Sequence, residues 1–158
     1  MDTASLLALT ATFYDVAFDL EEAKVRFGDG TEPLQLRPFQ LKLASPDPEV
    51  EAVWLESVDP VSLQEEPFLT GVIIDRKSPV IVAFPPLVER FGPPREVPRL
   101  KPYDPRNYQF AVKGTPIEGY LMLSVELGDD DDVPDKHVVR ITLRRIPPDA
   151  AAPPSVRA

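Results

Sequence analysis

His137 is the only histidine in this 158-residue chain, so a histidine-based metal site or a hydrolase dyad would rest on it alone. It follows a charged turn and opens the stretch HVVRITLRR, where a surface or strand-edge role is the simpler expectation. GDDDDVPD, residues 128–135, groups five carboxylates and invites a calcium reading. A calcium loop needs spaced oxygen ligands wrapped around the ion. Four consecutive aspartates point in different directions, so the segment reads as an exposed hairpin loop. No GxSxG, HExxH or Walker-type glycine loop occurs. The absence of cysteine excludes disulfides, thiolate zinc sites and a thiol nucleophile. No catalytic residue, metal or cofactor is assigned on this basis. A small hydrolase or isomerase using paired carboxylates stays as the alternative from the enzyme class.

Residue types suited to docking are easier to find. In the last strands Tyr120 and Met122 alternate with apolar residues, beside Glu126, Arg140 and Arg144. Tyrosine and arginine combine contact area with hydrogen bonding, which favours them at the centres of protein interfaces. Trp54, the only tryptophan, is open between core and interface. Tyr103 and Arg106, with Tyr108, lie around a proline-rich loop that reads as a binding lip or a packed turn.

These residues need elements to hold them. Leu6, Leu9, Phe13, Val16 and Leu20 recur at helical steps, with Thr3 as the cap. Asp19 reads as the N-cap of LEEAKVRF, and Gly28 as its left-handed C-terminal position. PFQLKLA alternates Phe39, Leu41 and Leu43 against Gln40 and Lys42, as a half-buried strand does. EVEAVWLESV and FLTGVIID follow as strands, the second apolar enough to be central. RKSP reads as a turn into a further short strand, VIVAF. PPLVERF is a helix with prolines in its first turn, stopped by Gly92. YQFAV, YLMLSVEL and HVVRITLRR each show one apolar and one mixed face, the last with Val139, Ile141 and Leu143 inward. Residues 148–158 read as a disordered tail.

Some of these pieces recur. Arg26-Phe27-Gly28 and Arg90-Phe91-Gly92 are 64 residues apart, as are Leu36-Arg37-Pro38 and Leu100-Lys101-Pro102. EAVWLESV and EGYLMLSV follow at a spacing of 67. The order suggests a duplicated unit. The residues LVERFGPP, YQF, GYLMLSVEL and VVRITL resemble the repeat of the bacterial BamE/SmpA-type outer-membrane assembly lipoproteins and of β-lactamase inhibitory proteins. The resemblance covers about 60 residues, from Phe84 to Ile146. It implies helices ending at a glycine and feeding a small antiparallel sheet, together with a protein-binding habit. The chain lacks the lipobox cysteine of the lipoproteins and the cysteines of the inhibitor's disulfides, so no site residue transfers.

Composition bounds the rest. The chain is 43% hydrophobic and 27% charged, ordinary for a globular protein, but its 20 prolines against 7 glycines predict short elements and stiff turns. Net charge is −9, and it is uneven: 15 acids face 6 bases in residues 1–79, against 11 of each in 80–158. Such a field disfavours nucleic acid and anionic lipid and favours a basic partner. The N-terminus has no basic n-region, so a cytoplasmic location is expected.

The expected fold is α+β, with two helix-plus-antiparallel-sheet units in tandem, their sheets forming one continuous or closely packed layer. The helices would pack on one face of the sheet and leave the other exposed. The acidic first unit would span 1–79 and the second 80–147. The expected function is a non-enzymatic protein-binding module, a small acidic inhibitor or immunity-type protein, monomeric rather than dimeric. An adaptor or chaperone of a secretion or surface assembly system is the alternative binding role.

Overall fold

Asp2 starts the first helix: its carboxylate accepts the Ser5 N–H at 2.8 Å, satisfying one of the donors a helix start leaves free. Helix α1 runs Thr3–Phe13. The computed structural model describes residues 1–37, 39–58, 68–128 and 133–146. Thr3, expected as the cap, instead accepts the Ala83 N–H through its hydroxyl at 2.8 Å. Leu6, Leu9, Phe13 and Tyr14 are buried, whereas Val16 lies past the helix and is 66% exposed. Helix α2, Leu20–Phe27, is capped by Asp19, which accepts the Glu22 N–H. Glu21 and Glu22 stand in its first turn, where the helix dipole favours negative charge. Gly28 does not take the left-handed conformation expected of it; its φ is −90°.

Four strands follow: β1 Gln35–Arg37, β2 Gln40–Leu43, β3 Val50–Val58 and β4 Phe68–Ala83. Helix α3, Phe84–Phe91, carries prolines at its start and ends at Gly92, whose φ of 87° suits a residue without Cβ. Strands β5 Arg95–Val97, β6 Arg106–Val112, β7 Gly119–Val125 and β8 Asp135–Arg145 complete the described chain. All eight form one antiparallel sheet in the order β1-β2-β3-β4-β8-β7-β6-β5.

This overturns the expectation of two tandem helix-plus-sheet units. The protein is mostly a single sheet with three short helices, and β4 and β8 pair directly at its centre. Beneath it lies one core. Leu41, Leu55, Val72, Leu143, Leu121 and Phe110 form one unbroken row of paired, buried side chains across six strands. Leu43, Val53, Ile74, Ile141, Leu123 and Tyr108 form the next. Residues of all three helices join the same cluster.

The repeated triplets land in unlike places. Phe27 and Phe91 both close helices, but Gly28 and Gly92 differ in φ sign. Leu36-Arg37 is in β1, while Leu100 and Lys101 lie in the loop between β5 and β6. RKSP is not a turn between strands. Residues 76–79 form a bulge inside the 16-residue β4, set against the single Val139 of β8. The bulge also corrects the facing of β8, since Val138 is fully buried and Val139 only half so. Phe39 sits at φ 66° in the turn between β1 and β2, 52% exposed, rather than beside Leu41 on the core face. The aspartate run 129–132 and the tail 148–158 lie outside the described residues. Among the described residues, no helix is long and apolar enough to cross a membrane.

The N-terminal segment is tied to the last strands by two polar contacts. The Tyr14 hydroxyl donates to the Tyr120 carbonyl at 2.6 Å. Burial, opposed in part by a hydrogen bond from the backbone at Arg144 and by the charge of Arg145, pushes its pKa far up and keeps the phenol a donor. Arg145, buried on the core side of β8, donates to the Phe18 carbonyl. Its guanidinium lies 4.6 Å from the Phe68 ring and 5.6 Å from that of Phe13, contacts that suit a cation over aromatic faces. Burial lowers its pKa against the pull of Tyr14 and Asp15, yet a guanidinium stays charged.

Candidate functional site

Strand alternation sends every second side chain to the side opposite the core. Register lines them up in three rows. The central row runs Lys42, Trp54, Ile73, Thr142, Met122, Gln109 from β2 to β6. Trp54, Ile73 and Met122 are half-buried, and Thr142 is buried between Ile73 and Met122. At about 4.8 Å per strand spacing, Trp54 to Met122 spans roughly 14 Å. The Lys42 ammonium lies 5.2 Å from the Trp54 ring.

An ion pair borders this row on each side. On one flank the row Glu56, Gly71, Arg144, Tyr120 places the Arg144 guanidinium 2.7 Å from Glu56. Gly71 makes this possible. A Cβ there would meet Arg144 Nη1 at 2.8 Å, so the arginine lies flat across β4. Burial works against the Arg144 charge but is outweighed by Glu56 and Tyr120, and its pKa is raised. On the other flank the row Ala52, Asp75, Arg140, Ser124, Asn107 carries the Asp75–Arg140 pair.

The sequence-derived residues therefore divide. Tyr120, Met122, Arg140, Arg144 and Trp54 share the outward face. Glu126 is exposed one residue past β7, its N–H donating to the His137 carbonyl at 2.8 Å. Tyr103 stands 67% exposed in the β5–β6 loop, with the Lys101 ammonium 5.5 Å from its ring. Arg106 lies at the end of that loop. It is the first residue of β6, on the core side with Tyr108, and grips Glu96 with two hydrogen bonds of 2.9 and 3.1 Å. His137 pairs with Ile81 inside the central β4–β8 ladder rather than at a sheet edge.

Sequence reasoning missed that the three arginines have intramolecular carboxylate partners, because those partners sit on other strands. It also missed Ile73; the unbroken apolar run GVII, residues 71–74, was the available signal, since it puts apolar side chains on both faces.

A cleft of about 590 Å³ opens beside the Asp75–Arg140 flank, under the β5–β6 loop. Arg76, Arg99, Arg140, Asp104 and Asn107 are among its lining residues. It lies where the bulge of residues 76–79 interrupts pairing between the two central strands, and bulges commonly re-aim a side chain next to a site. Among the described residues no group of three or more metal-ligating side chains is placed to hold an ion.

No family model, curated protein or solved structure matches the chain.

Proposed function

We propose that the protein is a non-enzymatic binding module, a small acidic inhibitor or immunity-type protein that neutralises a partner protein in the cytoplasm. The observation that supports this most is the outward row Trp54–Ile73–Met122, half-buried and apolar, bordered by the Glu56–Arg144 and Asp75–Arg140 pairs. An apolar centre with a charged rim is the arrangement of protein interfaces, where aromatic and methionine side chains are enriched at the centre. Because both rim arginines already hold a carboxylate, the partner gains from contact with the row more than from new ion pairs.

Part of the acidic surplus sits away from this row. Asp2, Asp15, Asp19, Glu21, Glu22, Asp29 and Glu32 are exposed on α1, α2 and the segments beside them. A net charge of −9 favours encounter with a basic partner. Capture from the source cells on immobilised protein, with wild type beside Ile73→Asp and Met122→Asp, tests the reading. The expected result is a captured protein lost with either variant, bound with an on-rate that falls as salt rises. Equal capture by folded variants, or a flat salt response, would contradict it.

A further inference from the structure

We infer that the cleft under the β5–β6 loop is a subsite for a carboxylate, and, resting on the docking role above, that it receives an acidic side chain of the partner. Arg76 carries the argument. Its side chain is only 8% exposed, and it lines both this cleft and a smaller cavity of about 180 Å³ shared with Phe27 and Ile74. A guanidinium has five donors. The hydrogen bonds of Arg76 are long: 3.3 Å from Nε to the Ser78 carbonyl and 3.5 Å from Nη1 to Asp47. Asp47 is its ion-pair partner at 3.5 Å, so the guanidinium keeps donors that water or an incoming anion can take at the cleft.

Three carboxylates line the cleft with the three arginines Arg76, Arg99 and Arg140: Glu51 is exposed, and the other two are engaged within the protein. Asp75 is already held by Arg140. Asp104 accepts the Lys101 backbone N–H at 3.1 Å. Arg99, on the loop, donates to the Pro102 carbonyl, and among the described residues it makes no ion pair. Arg76 and Arg99 thus line the same cleft with donors to spare. Planar guanidinium groups match the two oxygens of a carboxylate. The polar floor continues through Ser124, whose hydroxyl donates to Asn107. A partner that is basic overall can still present one carboxylate here. Long-range attraction depends on its net charge, and the cleft reads a single side chain.

The test needs no partner. The protein, labelled with ¹⁵N, is titrated with N-acetyl-glutamate N-methylamide, with succinate, and with N-acetyl-glutamine N-methylamide as the neutral control, following the arginine Nε–Hε signals. Saturable shifts at Arg76 and Arg99 are expected with the carboxylates, at least 10-fold weaker with the glutamine control. Arg99→Gln, in an exposed loop, and Arg76→Gln should each weaken the titration about 10-fold. Tighter binding of the capped glutamate assigns the site to a protein side chain, and tighter binding of succinate to a free small carboxylate; both uphold the carboxylate chemistry. No saturable shift, equal response to the glutamine control, or an unchanged response in both variants would overturn it. Substitution of Met122 leaves this titration unchanged, so failure of the docking face and failure of the cleft are read separately.

Discussion

Replacing Tyr14 by phenylalanine removes one oxygen and tests how the first helix is joined to the last strands. The Tyr14 side chain is fully buried, and its hydroxyl reaches the Tyr120 carbonyl at 2.6 Å. Beside it the Tyr14 carbonyl accepts the Ile117 N–H at 3.1 Å. Losing one such part-buried hydrogen bond, with the Tyr120 carbonyl left without that donor, costs about 1.5 kcal/mol. For a chain of this length that corresponds to a fall in Tm of roughly 3–6 °C. Urea unfolding followed by the fluorescence of Trp54 measures it.

The pH dependence adds a second readout. The folded pKa of Tyr14 is raised, first by burial. Below the unfolded phenol's pKa of about 10 the contribution is fully present. Above it the unfolded state binds fewer protons than the folded one, so stability falls as pH rises. Wild type should therefore lose about 1.4 kcal/mol per pH unit more than Tyr14→Phe in that alkaline range. A variant as stable as wild type, with a parallel alkaline slope, would refute the reasoning.

Two other substitutions probe the same frame. Gly119→Ala would place a Cβ 1.9 Å from the Arg144 carbonyl and 2.9 Å from the Tyr14 ring, so a loss of about 3 kcal/mol or failure to fold is expected in urea titrations. A double-mutant cycle on Glu56→Gln and Arg144→Gln should give a coupling of about 0.5–1 kcal/mol that shrinks with salt, because both side chains are about a quarter exposed.

What could be read from the sequence depended on range. The Asp19 cap, its acidic first turn and the Gly92 stop are local, and the structure has them in place. Tyr108, Phe110, Leu121, Leu123, Ile141 and Leu143 face the core as their alternation demands. Strands β1 and β5 leave no signature in the sequence because three residues are too few to show a period. RKSP reads as a turn because Ser78 and Pro79 are turn-type residues, yet β4 continues through them as a bulge between its neighbouring strands. Nearly matching spacings at 64 and 67 suggested two units, whereas the direct pairing of β4 with β8 makes one sheet over one core.

The outward face was legible in part. Alternation placed Tyr120, Met122, Arg140 and Arg144 together, but it carries no information on cross-strand partners. Asp75 for Arg140 and Glu56 for Arg144 are fixed only by register. Parity also separates the adjacent pair at the end of β8, with Arg144 outward and Arg145 among Phe13 and Phe68.

A photo-crosslinking residue placed at Met122, and in a second sample at Val25 on the exposed side of α2, puts the docking surface to its most direct test. In an extract of the source cells, position 122 should cross-link one partner protein that position 25 does not. Cross-linking from 25 with none from 122 would place recognition on the helices and contradict the account.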